Sequence, residues 1–284
     1  MTMEHDEGRI FSNLDQCELY WQHWRPVHQK VHAVLGVVHG FSEHSSRYQF
    51  LVDALLPHGF SIYAIDHRGH GRSQGLPGHV DRFDQYRWDL HQWIQQVIDV
   101  EKKSLPFFLI GHSMGGLITL DYALHHPERL AGIVVSGPML RLKVKLPAVK
   151  VIAGKILSKW LPRVTLASDL DARMLSHDPK VIQARAEDPL VHDVASTRWF
   201  TEGMAAGERI LRSASQLRVP TLFMHGGEDP LTDPKATQEF YQAMFFKDKK
   251  WIQWPGMYHE IFNEVERNKV FEAVHSWLFE HLHP

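Results

Sequence analysis

Two kinds of hydrophobic pattern alternate along the chain. Short, almost unbroken apolar runs occur at Val31 to Val38, Ser61 to Ile65, Pro106 to Ile110, Ile133 to Ser136, Thr221 to Met224 and Trp251 to Trp254. They are rich in Val, Ile and Phe and bounded by Gly, Pro or His, which predicts strands buried on both faces. Between them, Arg47 to Leu56, Asp84 to Val100, Met114 to His125, Pro234 to Phe246 and Ile261 to Leu282 carry apolar residues at helical spacing. Strand followed by helix in regular alternation predicts a parallel sheet covered on both faces. Near the start, Cys17 to Trp24 alternates apolar and polar residues and predicts an antiparallel edge hairpin.

The alternation stops after Gly137 and resumes at Thr221. The stretch between is helical in pattern with no convincing strand, so it reads as an insertion. The expected division is a core in two parts, 1–137 and 217–284, with a helical cap over 138–216. In the cap, Val149, Ile152, Ala153, Ile156, Leu157, Trp160 and Leu161 share one helical face, and Lys150, Lys155, Ser158 and Lys159 lie elsewhere around the helix. Such a helix can rest on a membrane surface or pack on the body. Packing is the favoured reading, because Gly154 weakens the helix and one apolar stripe serves one burial at a time. Trp199, Phe200, Met204, Ile210 and Leu211 fit an acyl tunnel or the interior of the cap equally well.

Composition narrows the function classes. The 284 residues are 44% hydrophobic and 23% charged, enough to bury a core, and a net charge of −2 lacks the basic face that nucleic acid requires. The single cysteine, Cys17, excludes an internal disulfide and has no neighbours that suit a nucleophilic thiol, so it reads as a packing residue. The N-terminus is acidic where a signal peptide needs basic and then apolar residues, and no run reaches membrane-spanning length. A cytoplasmic protein, able to sit peripherally on a membrane, is expected. The 21 histidines form no metal-binding pattern, and most are expected to be solvated surface groups.

The chemistry starts at Gly111-His112-Ser113-Met114-Gly115, a G-x-S-x-G between a strand and a helix. That context makes a tight elbow in which the glycines remove side chains where backbones crowd and Ser113 projects above the sheet. A serine hydroxyl needs a base, and the base needs an acid to fix its tautomer. Behind this elbow the chain order is serine, acid, histidine. Asp229, in HGGEDPLTD after the strand TLFM, and His259, in GMYHE after the strand WIQW, stand where the acid and base belong. Glu228 and Asp233 are rivals for the acid; Glu228 would point away along the turn, and Asp233 suits the cap of the helix starting at Pro234. The Met114 N–H, directly after the nucleophile, is one expected oxyanion donor, with a second from the loop His39 to His44.

Five stretches together, HGFSEHSSRY, AIDHRGHGRS, GHSMGG, MHGGEDP and MYHEIFNE, resemble the motifs of monoacylglycerol lipases and bacterial lysophospholipases. The resemblance runs from about Val31 to the C-terminus and is much less specific between Pro138 and Gln216. It implies an α/β-hydrolase fold: a mostly parallel eight-stranded sheet flanked by helices, with the cap inserted after strand six. It also implies that the Phe41 N–H is the second oxyanion donor. Glu43 and Arg47 look like family residues beside the leaving alcohol or bracing the loop, with a solvated salt bridge as the plainer alternative. Asp66 to Ser73, which has the glycines and basic residues of a phosphate loop without its order, falls in the turn after the fourth strand.

The expected function is hydrolysis of monoacylglycerols with a medium or long acyl chain, through an acyl-enzyme at Ser113. A lysophospholipase or broad carboxylesterase is the enzymatic alternative, and a ligand-binding receptor on the same fold is the non-enzymatic one. No cofactor and no metal are implied. The expected partners are a lipid ester and, through the cap, a membrane surface, but no nucleic acid; the choice between monomer and homodimer stays open.

Overall fold

The computed structural model describes residues 3–99, 104–143, 148–168 and 170–282. Eight strands form the main sheet: β1 (Met3–Phe11), β2 (Glu18–Pro26), β3 (Ala33–Val38), β4 (Phe60–Ile65), β5 (Phe107–His112), β6 (Gly132–Ser136), β9 (Thr221–Gly226) and β10 (Lys249–Trp254). They lie in the order β1-β2-β4-β3-β5-β6-β9-β10. Strands β3 to β6, β9 and β10 pair in parallel, and β1 and β2 run antiparallel at one edge. This is the α/β-hydrolase architecture.

Side-chain alternation explains why the central strands read as unbroken apolar runs. Along β3, Val34 and Val38 enter one core cluster, while Ala33, Leu35 and Val37 enter the other. In β5, Phe107 and Leu109 face one way and Phe108 and Ile110 the other. The first layer is covered by α2 (Asp84–Trp93), α3 (Met114–His125) and α7 (Pro234–Ala243), through Trp93, Leu117 and Phe240 among others. The second is covered by α1 (Gln49–Leu55) and α8 (Arg267–Glu280), through Val52 and Trp277. Fully burying each large side chain contributes about 1.5–3 kcal/mol.

Between β6 and β9 lie α4 (Ala148–Trp160), β7 (Thr165–Ala167), α5 (Pro179–Ala186), β8 (Val194–Ser196) and α6 (Thr197–Arg212). Asp178 and Ser196 cap α5 and α6 by accepting the N–H groups of Lys180 and Trp199. Three expectations need revision. The cap contains a two-stranded antiparallel sheet of β7 and β8, whose three-residue strands are too short to show a period. The edge hairpin has its outer arm at Met3–Phe11, where the residues are mostly exposed and so carry no hydrophobic alternation. The second helix gives way after Trp93 to a π-helical turn, Ile94–Ile98, and Val100 lies outside the described residues.

The orientation of α4 is a further difference. Ile152, Ile156 and Trp160 are 58%, 57% and 74% exposed, so this part of the apolar stripe faces outward. The inward side carries Ser158, which bonds Thr201 Oγ1 on α6 at 2.7 Å, and half-buried Leu157. The side chains of Val149, Lys150 and Ala153 lie outside the described residues. Helical periodicity marks an amphipathic helix but does not say which face meets the body.

Candidate active site

From β3 the chain crosses to β4, on one side of β3, and then to β5 on the other. The loops leaving the carboxyl ends of β3 and β5 therefore part at a topological switch point, where open α/β sheets place their ligands. Val38 and Gly111 are register partners, so the His39 loop and the Ser113 elbow emerge side by side. The next strand ends, β6, β9 and β10, deliver Gly137, Asp229 and His259 along the same rim.

Ser113 has φ +55° and ψ −117°, a strained conformation for a residue with a side chain. Its N–H donates to Ser136 O, and its own O accepts from Met139 N–H. Packing enforces the turn: a Cβ on Gly115 would sit 1.9 Å from Val38 O, and one on Gly111 would sit 2.5 Å from Gly115 O. Only hydrogen fits at these two positions. Ser113 is half-buried, and its hydroxyl stands at the start of α3.

The loop that leaves β3 is held from three directions. Gly40 approaches so closely that a Cβ there would lie 3.2 Å from Ser113 Cβ. Its N–H donates to Glu43 Oε1 at 2.5 Å, and its O accepts from His39 Nδ1 at 2.7 Å. His39 Nε2 in turn accepts the His67 N–H, which fixes the tautomer, and burial lowers the His39 pKa to about 3. Among the described residues neither the Phe41 nor the Met114 N–H has a protein acceptor. Two free donors beside the Ser113 hydroxyl are what an oxyanion hole would require. The Phe41 ring stacks on Trp199 of α6 with centroids 3.8 Å apart, tying the loop to the cap.

Asp229 and His259 meet. His259 Nδ1 lies 2.6 Å from Asp229 Oδ2, and both side chains are buried. Burial alone would lower the His259 pKa, but the Asp229 carboxylate, with Glu260 and Glu43 behind it, outweighs this and raises it above the ordinary value. Burial likewise pushes Asp229 up, yet His259 and His225 hold it well below the usual carboxylate range. Among the described residues no hydrogen bond joins Ser113 to His259. The rings of His112 and His259 are 4.6 Å apart, so the imidazole stands against the residue that precedes Ser113. Such contacts commonly tighten only when substrate is bound. Of the rival acids, Glu228 is exposed and Asp233 caps α7 by accepting the Lys235 N–H.

Several participants escaped the sequence reading. Among the described residues nine histidines, His39, His67, His70, His112, His225 and His259 among them, are buried rather than solvated. His39 and His225 use both ring nitrogens in hydrogen bonds, and composition cannot reveal such partners. Glu43 and Arg47 do not form a solvated pair: their side chains are 4% and 9% exposed. Arg47 bonds Glu43 and makes a two-point clamp on Glu260, the neighbour of His259, at 2.9 Å each. Burial raises the Glu43 pKa, whereas Glu260, despite burial, is held down to about 2 by Arg47. The network links the His39–His44 loop to the His259 loop. Glu260 was visible only as the residue after the histidine. In the Asp66–Ser73 turn, Asp66 accepts from Ser45 N–H and Arg72 N–H, and Arg68 pairs with Asp89 and Asp15. Those residues brace the loop.

Comparison with known proteins gives the family. The Hydrolase_4 family model, described as serine aminopeptidase S33, matches residues 29–266. A Mycolicibacterium smegmatis monoacylglycerol lipase is 30% identical over 273 residues, 96% of each chain. The Bacillus subtilis phospholipase YtpA is 32% identical over 259 residues, 90% of this chain and 97% of the relative. The chain spans only 28% of an uncharacterised abhydrolase domain-containing protein of Dictyostelium discoideum, at 31% identity. Among solved structures, a Paleococcus ferrophilus monoacylglycerol lipase superposes with a TM-score of 0.82 at 30% identity, covering 99% of this chain and 100% of that one. With the elbow, the strand order and these likenesses together, the chain belongs to the Hydrolase_4 family of serine hydrolases on the α/β-hydrolase fold.

Proposed function

We propose that this protein hydrolyses monoacylglycerols carrying a medium or long acyl chain. Ser113 Oγ attacks the ester carbonyl while His259 Nε2 takes its proton, and the Phe41 and Met114 N–H groups receive the oxyanion. Collapse transfers the His259 proton to the leaving glycerol and leaves an acyl-enzyme; water, activated by the same imidazole, releases the fatty acid. Asp229 holds the Nδ1–H and stabilises the imidazolium. The atoms balance with water alone, so the cycle needs no cofactor. The 2.6 Å bond between His259 and Asp229, on the rim that carries the Ser113 elbow, is the observation on which the reading rests.

The substrate class follows the names of the similar proteins and the outward apolar stripe of α4. With Lys155 and Lys159 on the same helix, Ile152, Ile156 and Trp160 make a surface suited to a lipid aggregate. The cap, taken as 138–216, then rests on that aggregate while the body stays in water. No helix among the described residues is long and apolar enough to cross a membrane. The relative named phospholipase supports a second reading, the same chemistry on a lysophospholipid.

A fluorophosphonate probe tests the mechanism: the native protein labels, and Ser113→Ala does not and loses ester turnover by about 10,000-fold or more. Labelling that survives in Ser113→Ala would reject it. Turnover of monoacylglycerol against lysophosphatidylcholine separates the two substrate readings.

A further inference from the structure

We propose that His225 is a positioning residue for the hydrolysis, holding the Asp229 carboxylate so that Asp229 in turn can hold His259. The inference deepens the triad reading and rests on it. His225 lies near the end of β9 and is completely buried. Its Nε2 is 3.0 Å from Asp229 Oδ2, and its Nδ1 is 3.0 Å from Thr237 Oγ1 on α7.

The hydrogen-bond chemistry leaves one neutral arrangement of this ring. A carboxylate oxygen only accepts, so His225 Nε2 carries the proton; Nδ1 of the neutral ring then accepts from the Thr237 hydroxyl. The rest of the carboxylate is equally well used. Oδ2 also accepts from Thr232 Oγ1 at 2.8 Å, and Oδ1 accepts from the Leu231 and Thr232 N–H groups at 2.8 and 3.1 Å. Among the described residues five donors reach the Asp229 carboxylate; four belong to its own loop or to β9, and the fifth is His259. The four set the plane and position of the carboxylate before the reaction begins, so its bond to His259 needs no reorganisation when the imidazolium forms.

Packing alone does not account for a histidine here. An apolar side chain of similar size would fill the space without two polar atoms to satisfy, whereas here both imidazole nitrogens are bonded. The donor also tunes charge. A hydrogen bond to Asp229 spreads its negative charge and moderates its pull on His259. Without it, the carboxylate would loosen in orientation and hold the His259 proton more tightly. The charged and titratable groups around the pair are Lys143, whose Nζ donates to Asp229 O, and, near His259, His112, Glu260 and Glu43.

The test compares His225→Leu with His225→Gln, whose side-chain amide can still donate to Asp229. On a soluble p-nitrophenyl butyrate substrate, His225→Leu is expected to lose kcat by about 10- to 100-fold. KM should stay close to native, and the acidic limb of kcat/KM should move to higher pH. His225→Gln should recover most of kcat and return the limb towards its native position. Thr237→Val, which frees Nδ1, should show a smaller fall in kcat of the same kind. Should His225→Leu fail to fold, the other two decide: a native-like limb in Gln with a loss in Val supports the proposal. If folded His225→Leu keeps native kcat and an unmoved limb, or if Gln is as impaired as Leu at equal thermal stability, His225 only packs. An active Ser113→Ala protein would instead overturn the triad reading itself, so the two failures are distinct.

Discussion

The sheet and helix α4 spend their hydrophobic residues in opposite ways. In β3 and β5 every side chain is buried, alternately on one face and the other, and the loops that leave these strands inherit a rigid base. In α4 Ile152, Ile156 and Trp160 face out, and the inward side carries a serine hydroxyl with half-buried Leu157 beside it. Similar residue types thus build a template in one region and a contact surface in the other. The comparison teaches that hydrophobic content reports how much apolar surface exists, whereas its direction depends on what the neighbouring element offers.

Changes in the template should be costly, and changes on the cap surface should not. The largest effect is expected in Asp229→Asn, which keeps the shape of the carboxylate and loses the right His259 tautomer; kcat should fall by about 10,000-fold, or about 5 kcal/mol. Next comes Trp277→Ala, which opens a cavity beside Gly132 and Phe108 and should lower the unfolding free energy by about 3–5 kcal/mol in denaturant titration. Unchanged stability there would break the contrast.

The pH profile sharpens it. The folded protein raises the His259 pKa, and only the neutral ring accepts the serine proton, so kcat/KM should rise with pH through a midpoint above about 6.5. Replacing Asp229 by Asn removes the main cause of the rise and should bring the midpoint down. The smallest stability effect is expected at Trp160→Ser, within about 0.5 kcal/mol of native. The same variant should bind anionic vesicles less well than native while turning over soluble esters at the native rate. A large loss of stability would show that the stripe is packed after all.

Much of the candidate site was legible because its signals are local. The elbow needs glycines at two fixed offsets from Ser113, since any side chain there would collide with backbone, and such a requirement leaves its mark in consecutive residues. The β-strand runs, the order of Ser113, Asp229 and His259, and the N-cap at Asp233 are legible for similar reasons. The resemblance added Phe41, whose N–H has no local signature. What stayed hidden is held by partners far apart in the chain. Arg47 and Glu260 are 213 residues apart, and nothing about either residue names the other.

By itself, the amino-acid sequence determined the alternating architecture, the strained serine turn and the candidates for acyl chemistry, because each depends on short-range sterics or on residue type. Only the tertiary structure decided that Asp229 is shared between two imidazoles, that Glu43, Arg47 and Glu260 lie buried between two loops, and that Ile152, Ile156 and Trp160 on α4 look outward. Those outcomes depend on which surfaces meet when distant segments pack, and a hydrogen-bond partner or an exposed face exists only once they have met.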